Sequence, residues 1–600
     1  MTAMTKNRKA SMVGGGIGSM AAAAFMIRDG GVPGENITIY EAAPVLVGSL
    51  DAAGNPQDGY SMRGGRMLTT DNYECTWGLF KSIPSLAEPG KTVFEETLEF
   101  NEQIKAHSRA RLVDRNRAIV DVSSMGFSMK DRVELVRLAE ASEETLGAGR
   151  ITDWLSSEFF ETKFWYMWAT TFAFQPWHSA IEFKRYPHRF MMEFTRIETL
   201  AGVKRTIFNQ YDSLVRPLDT WLDRHGVRFM KGFTVTDLDV TSVDGKILVT
   251  GITYQRNGKT SSVAVDADDL VFFQNASMTD ASSFGSMAKS PEPLTKTNSG
   301  GWTLWETLAK DHPEFGSPRA FNPSIPESNW ESFTVTLKDA AFFDRMEAFS
   351  GNQAGTGGLV TFKDSRWLMS IVLAHQPHFA NQPAGVQVFW GYALYPDRVG
   401  DFIAKPMAQC TGEEILRELC GHLNIDFDSA FATAICIPCR LPYITSMFMP
   451  RAKGDRPLPV PTTSRNLAFV SQFVEISEDV VFTVEYSVRV AQMAVYELLG
   501  IDREIPSIIH HDKSIKVKFD SVIKAIRLTS IGTYERWSSK RLEWPPRRRS
   551  KGCDTAPAPE LAGCRCRTDV RPDTRSGLQS RAHRGGDPCA IAAAARSARG

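Results

Sequence analysis

The sequence predicts an α/β protein: a Rossmann-like domain, an inserted α+β region and a small helical C-terminal region. Three observations carry that prediction. The chain opens on a strand, a glycine turn and an Ala-rich helix; β-type alternation dominates residues 227–273; and a strand followed by an amphipathic helix returns at residues 466–499. With 600 residues, 42% hydrophobic and 23% charged, the chain can bury a large core, which excludes a disordered chain, a collagen-like fibre or a disulfide-stapled miniprotein. Lys+Arg and Asp+Glu both number 69, so net charge alone points to neither nucleic acid nor an anionic membrane. Nine cysteines, an odd number, occur without a pair of zinc-type CxxC motifs. That usage fits a reduced, cytoplasmic compartment and predicts no metal site.

The elements follow in order. Residues 12–13 end a short apolar strand, 14–18 form the glycine turn, and 20–27 read as a helix that stops at Arg28-Asp29-Gly30. Lys6, Arg8 and Lys9 before this apolar stretch mimic a secretory signal, but the turn-prone residues inside it read as strand, turn and helix. No other stretch reaches the ~20 apolar residues of a spanning helix. Residues 36–40 alternate as a second strand ending in Glu41, which completes a βαβ unit. Residues 132–177 read as largely helical and aromatic-rich. Strands are expected at 233–238, 247–254 and 263–273, with Asn257-Gly258 as a hairpin turn. A late strand covers 466–471, and a helix from about 483 to 499 places Val484, Val488, Ala491, Val495 and Leu498 on one face.

The strongest motif is Gly14-Gly15-Gly16-Ile17-Gly18-Ser19 followed by Glu41. Glycines at 14 and 16 and the small Ser19 let backbone N–H groups approach a pyrophosphate at a helix N-terminus, where the dipole favours negative charge. A carboxylate at the end of the second strand accepts ribose hydroxyls, and an acid there disfavours NADP. The late strand-turn-helix places a second helix N-terminus, at Thr483, against the cofactor, which favours FAD over NAD. The second glycine pair, Arg63-Gly64-Gly65-Arg66, permits close approach to a flat ring system. Ser49, Val235 and Phe473 complete the predicted cofactor set.

Longer strings add a resemblance. GGGIGSMAAAAFMIRDG with ITIYE, then MRGGRM, NYECTWGLF, WATTFAFQPWHSAIEFKRYPHRF, FNQYDSLVRPL, AHQPHFANQP, VQVFWGYALYPDRVGDF and FTVEYSVRVAQMAVYELL resemble the oleate hydratase family, also called the myosin-cross-reactive antigen family. The likeness runs from residue 12 to at least 500. It implies an FAD-dependent hydro-lyase that adds water across the cis double bond of an unsaturated fatty acid, of the oleate to 10-hydroxystearate type, without net redox chemistry. It also implies that Tyr186 donates the proton and that Gln210 lines the substrate or water site. Two departures stand out. Met67 occupies the position of a water-activating glutamate, leaving backbone groups, the flavin or another carboxylate such as Glu74 to position water. Val372, Ala374 and His378 align with a Thr-x-Asn-x-x-x-His pattern for the substrate carboxylate, which leaves His378, with His375 beside it, as the remaining donor.

The resemblance divides the chain into a polar arm (1–11), a first FAD-binding part (12–130), a helical aromatic-rich substrate region (131–205), a β-rich FAD-binding continuation (206–290), a substrate-binding domain (291–460), the last FAD-binding strand and helix (461–504) and a helical remnant (505–540). Phe160, Phe164, Trp165, Tyr166, Trp168, Phe172, Phe174 and Trp177 read as packed core rather than as the wall of an acyl channel, although one face can be both. Residues 541–600 hold twelve Arg and one Lys against six acidic residues, a formal +7, so residues 1–540 carry −7. This basic tail reads as disordered, and its abrupt composition fits a shifted reading frame better than a lipid-docking tail. The expected partners are an unsaturated fatty acid and water, with no nucleic acid. Peripheral membrane contact and a choice between monomer and homodimer stay open. The alternative readings are a flavin-linked lipid redox enzyme or double-bond isomerase, and a non-catalytic flavin- and fatty-acid-binding relative.

Overall fold

The structure is a computed structural model that describes residues 7–46, 48–65 and 67–526. Arg66 and the basic tail lie outside the described residues. Among the described residues the strands form four sheets. The first is parallel, in the order Leu467–Phe469, Leu270–Phe273, Ala10–Val13, Ile37–Glu41 and Arg228–Lys231. Its central strand, ASMV, leads directly into the glycine turn and the Ile17–Arg28 helix. Ala21 to Ala24 are wholly buried there, because this helix packs both on the sheet and against the Val484–Leu499 helix. Small side chains make that sandwich close. A Cβ at Gly18 would stand 2.5 Å from the Val470 carbonyl oxygen.

The expected strand over 263–273 is two strands in different sheets. Lys259–Ala264 is an exposed edge that pairs antiparallel with Lys246–Arg256, whereas Leu270–Phe273 is buried and parallel to Ala10–Val13. Asp266, Asp268 and Asp269 separate them in a turn closed by the Asp269 N–H on the Asp266 carbonyl at 2.9 Å. The expected helical stretch 132–177 is likewise broken into Met129–Glu140, Glu143–Leu146 and Lys163–Phe172. Ser128, Ser142 and Thr162 each cap a new start by accepting a backbone N–H.

The largest sheet is mixed, in the order Ser283–Phe284, Ile435–Leu441, Trp330–Leu337, Gln387–Ala393, Met369–Leu373, Leu359–Phe362 and Leu112–Val113. It draws one strand from residues 12–130 and one from 206–290, so the second half of the fold is built from three sequence segments. Its central strand, Trp330–Leu337, is buried throughout. Thr336 and Thr334 hydroxyls accept the Tyr60 and Met62 N–H groups at 2.8 and 3.2 Å, and the Ser332 hydroxyl donates to the Arg63 carbonyl at 3.0 Å. These bonds dock the Ala52–Asn55/Gly59–Met62 hairpin onto the sheet and fix where the Arg63-Gly64-Gly65 turn emerges. Toward the C-terminus Ile515–Ile526 forms a helix. Among the described residues no helix is long and apolar enough to cross a membrane.

Gly18→Ala is expected to destabilise the protein by ~1–3 kcal/mol, read as a lowered denaturant midpoint, because the added methyl meets backbone rather than a mobile side chain.

Candidate active site

The glycine turn opens a cleft at the C-terminal end of the parallel sheet's central strand. Gly14 adopts φ +97°, which favours glycine. Gly16 precedes the helix in extended conformation, and the Gln274 side chain lies over both glycines. Glu41 closes the turn from the next strand, its two oxygens accepting the Gly15 and Ala43 N–H groups at 2.7 Å each. Val235 and Arg63 line the same cavity of about 310 Å3. Arg63 is held by Asp51 at 2.9 Å and by Ser282. A second cavity continues from Gly16 past Ser49 and Phe473 to Thr483. There the Thr483 hydroxyl caps the Val484–Leu499 helix by accepting the Tyr486 N–H at 3.1 Å. Ser19 is buried inside its helix and borders neither cavity. Gly64 is buried beside Gly65, and a Cβ at Gly65 would stand 3.3 Å from the Trp390 ring.

A third cavity, of about 130 Å3, has a hydrocarbon wall to which Met67, Phe172, Phe190, Val372 and Trp390 contribute. It touches the second at Phe482, Thr483 and Val484, which border both. Phe482 takes φ +67° and is held by its N–H on Gln472 Oε1 at 2.5 Å, an uncommon backbone state for a bulky residue. Of the aromatic stretch 160–177 only Phe172 reaches this cavity; Phe164 and Trp168 pair at 5.2 Å, Phe174 packs on Phe448 and Trp177 on Tyr395.

Tyr186 lines the cavity from the Ala180–Arg189 helix, 1% exposed, its hydroxyl donating to the Val481 carbonyl at 2.6 Å. Burial first, and then Tyr73, Glu182 and Asp479, push its pKa well above the ordinary phenol value, so it is protonated throughout the working pH range. Two arginines on the same helix flank it. Arg185 binds Glu143 at 2.7 Å and Glu475 at 3.0 Å; Arg189 binds Glu74 at 2.8 Å and Asp479 at 3.3 Å. Glu182, wholly buried, pairs with Arg451 and Arg456 at 3.1 Å each. Burial alone would raise its pKa, but the charges of Arg456, Arg451 and Arg185 hold it below the usual carboxylate value.

The sequence profile of the MCRA family matches residues 7–496. The chain belongs to the MCRA family. It is 38% identical over 511 residues to an oleate hydratase of Streptococcus pyogenes serotype M49 (strain NZ131), covering 83% of this chain and 86% of the relative. It is 34% identical over 536 residues to a linoleate hydratase of Lactiplantibacillus plantarum, covering 82% and 94% respectively. Among solved structures, cyclohexylamine oxidase from Brevibacterium oxydans IH-35A shares the fold, with a TM-score of 0.53 at 12% identity over 82% of this chain and 99% of that one.

Of the residues where this MCRA chain departs from the resemblance, Met67 and Val372 share one cavity wall and Ala374 does not. Met67 borders the cavity, and its carbonyl accepts the Tyr73 hydroxyl at 3.3 Å. Glu74 does not border it: Arg189 and Arg489 take its carboxylate, both at 2.8 Å, and hold its pKa down against the upward push of burial. It therefore cannot substitute for a water-activating group, a correction to the expectation from sequence. The carboxylate that does border the cavity is Glu193, bound by Arg196 at 3.1 Å. Val372 faces the cavity, whereas Ala374, His378 and Gln210 are outside its lining. His378 and Gln210 are neighbours through Asn209, whose N–H bonds the His378 carbonyl at 2.8 Å, and Gln210 Oε1 is buried without a partner among the described residues. Sequence reasoning missed Phe482, Glu193 and Arg205 as cavity residues. The charged pair around Tyr186 in KRYPHR, on an otherwise buried helix, was the signal available for the ion-pair clamp.

Burial pushes His178 down to about 3 and His378 down to about 4, so both are neutral in the folded protein. An unfolded histidine takes up its proton near ~6.5, so between that pH and 4 the unfolded state binds more protons and stability falls as pH falls. Melting is expected at a lower temperature at pH 5 than at pH 7.5, and His378→Gln is expected to narrow that difference.

Proposed function

We propose that this protein hydrates the cis double bond of an unsaturated fatty acid, with FAD in the cleft between the glycine turn and Thr483. The observation that carries this reading is a buried phenol, Tyr186, inside a hydrocarbon-walled cavity that adjoins the cofactor cleft at residues 482–484. The cleft suits FAD. The turn at Gly14 and Gly16 exposes the helix start to a pyrophosphate, Glu41 is the group we assign to the ribose, and Ser49, Phe473 and Thr483 continue toward the cavity. Bound there, the flavin supplies electrostatic shaping of the alkene site with no net electron transfer.

Hydration needs a proton on one alkene carbon and water on the next, in a space closed to bulk solvent. Tyr186 holds that proton on its hydroxyl oxygen. Its position is set by the Val481 carbonyl and by Phe172, Phe174 and Phe190, whose ring centroids lie 5.1, 4.9 and 5.6 Å away. The surroundings disfavour a lasting phenolate, so protonation of carbon and return of a proton to Tyr186 must be closely coupled. Water adding to the neighbouring carbon releases one proton, which restores the phenol and leaves no net proton change. A phenolate of raised pKa is a strong base, able to take up that proton with Met67 where a carboxylate would assist water.

Incubation with oleate and FAD is expected to yield a product heavier by one water. Absence of that product with both oxidised and reduced flavin, while lipid still binds, would sink the reading; an isomerised product of unchanged mass would favour isomerase chemistry. Tyr186→Phe is expected to lower kcat by ~10²- to 10⁴-fold with lipid binding retained. Met67→Glu should raise kcat by roughly tenfold or more, measured by product formation under saturating oleate.

A further inference from the structure

We propose that Arg205 docks the carboxylate of the fatty acid, in place of the hydrogen-bond donors missing at Val372 and Ala374. The proposal rests on reading the hydrocarbon-walled cavity as the acyl site. Arg205 borders that cavity together with Tyr186, Met67 and Val372. Its guanidinium lies over Gly357, where a Cβ would come within 2.5 Å of Nη2, so glycine is what leaves it room. Nε and Nη2 are closed off from solvent and have no hydrogen-bond partner among the described residues.

The other arginines near this cavity are satisfied by the protein. Arg185, Arg189, Arg196 and Arg489 all bind carboxylates, and Arg196 also occupies Glu193, the acid that shares the cavity wall. Arg205 has no ion-pair partner among the described residues. Burial brings its pKa down only to about 10, so it stays a cation at neutral pH. A buried charge without a counter-ion is strongly unfavourable, and an entering carboxylate supplies both the charge and the acceptors that the protein withholds. The planar fork of a guanidinium matches a carboxylate in two parallel bonds, which a neutral amide or hydroxyl cannot reproduce.

The scaffold holds the residue in place. Asn101 brackets the Arg205 backbone, accepting its N–H at 3.0 Å and donating to its carbonyl at 2.7 Å. Burial, with the Arg205 charge adding to it, keeps the His378 imidazole neutral, so His378 puts no second positive charge beside Arg205. The consequence is a site selective for the free acid, with the carboxylate at Arg205 and the hydrocarbon chain running toward Tyr186.

The test is a titration of the full-length protein, FAD added, with oleate and with methyl oleate. Quenching of tryptophan fluorescence reports binding, since Trp330 and Trp390 line the cavity. The wild-type protein is expected to bind oleate ~10-fold or more tightly than the ester. Arg205→Gln should abolish that preference by weakening oleate while leaving methyl oleate unchanged, and Arg205→Lys should restore part of it. Equal affinities in the wild-type protein, which needs no variant to fold, would overturn the proposal. So would an Arg205→Gln variant with an intact melting transition that still prefers the acid. In both cases the acyl-site reading survives; if neither lipid binds, that reading falls as well.

Discussion

The clamp around Tyr186 governs the site. Arg185 and Arg189, on the same helix as the phenol, are paired to Glu475 and Asp479, while Arg489 shares Glu74 and Asp479 with Arg189. These pairs tie the Ala180–Arg189 helix to the segment 475–489, which includes Val481, Phe482 and the cap Thr483. Apolar packing is not directional and by itself leaves the phenol free to shift along the cavity. Charge-assisted bonds are directional, and buried ones are costly to break singly, at ~3–5 kcal/mol, because a lone charge is left behind. The distance between the Tyr186 phenol and residues 482–484, where the two cavities meet, is therefore set by electrostatics, with hydrocarbon filling the space around it.

The same logic explains how the site works with few polar groups. Met67 and Val372 stand on the cavity wall at positions where the resemblance leads one to expect a glutamate and a threonine. Each change removes a polar group from a low-dielectric space and with it a desolvation cost. Of the ionisable groups on the wall, Tyr186 donates to Val481 and Glu193 is taken by Arg196, while Arg205 is left unsatisfied by the protein.

Much of the fold was legible in the sequence because its signals are local. The glycine turn, the acid closing the βαβ unit and the face-periodic helix capped by Thr483 each depend on residues a few positions apart. Where the reading went astray, local pattern was insufficient. Residues 263–273 look like one strand, yet three aspartates break them into an exposed edge and a buried parallel strand, and hydrophobicity cannot tell which sheet each will join. The aromatic density of 160–177 left packed core and channel wall both open, and the structure buries most of it as core with Phe172 on the cavity wall. Glu74 looked available for water because nothing nearby in the sequence reveals its two arginines.

The sequence alone therefore determined the βαβ unit with its glycine turn and the family, since short-range spacing encodes backbone conformation. Tertiary structure alone decided which charges cancel. Arg185 meets Glu475 across 290 residues of chain and Arg489 meets Glu74 across 415. Coulombic pairing and burial depend on distance in space, which separation along the chain does not encode, and so the unpaired state of Arg205 emerges only when the chain is folded.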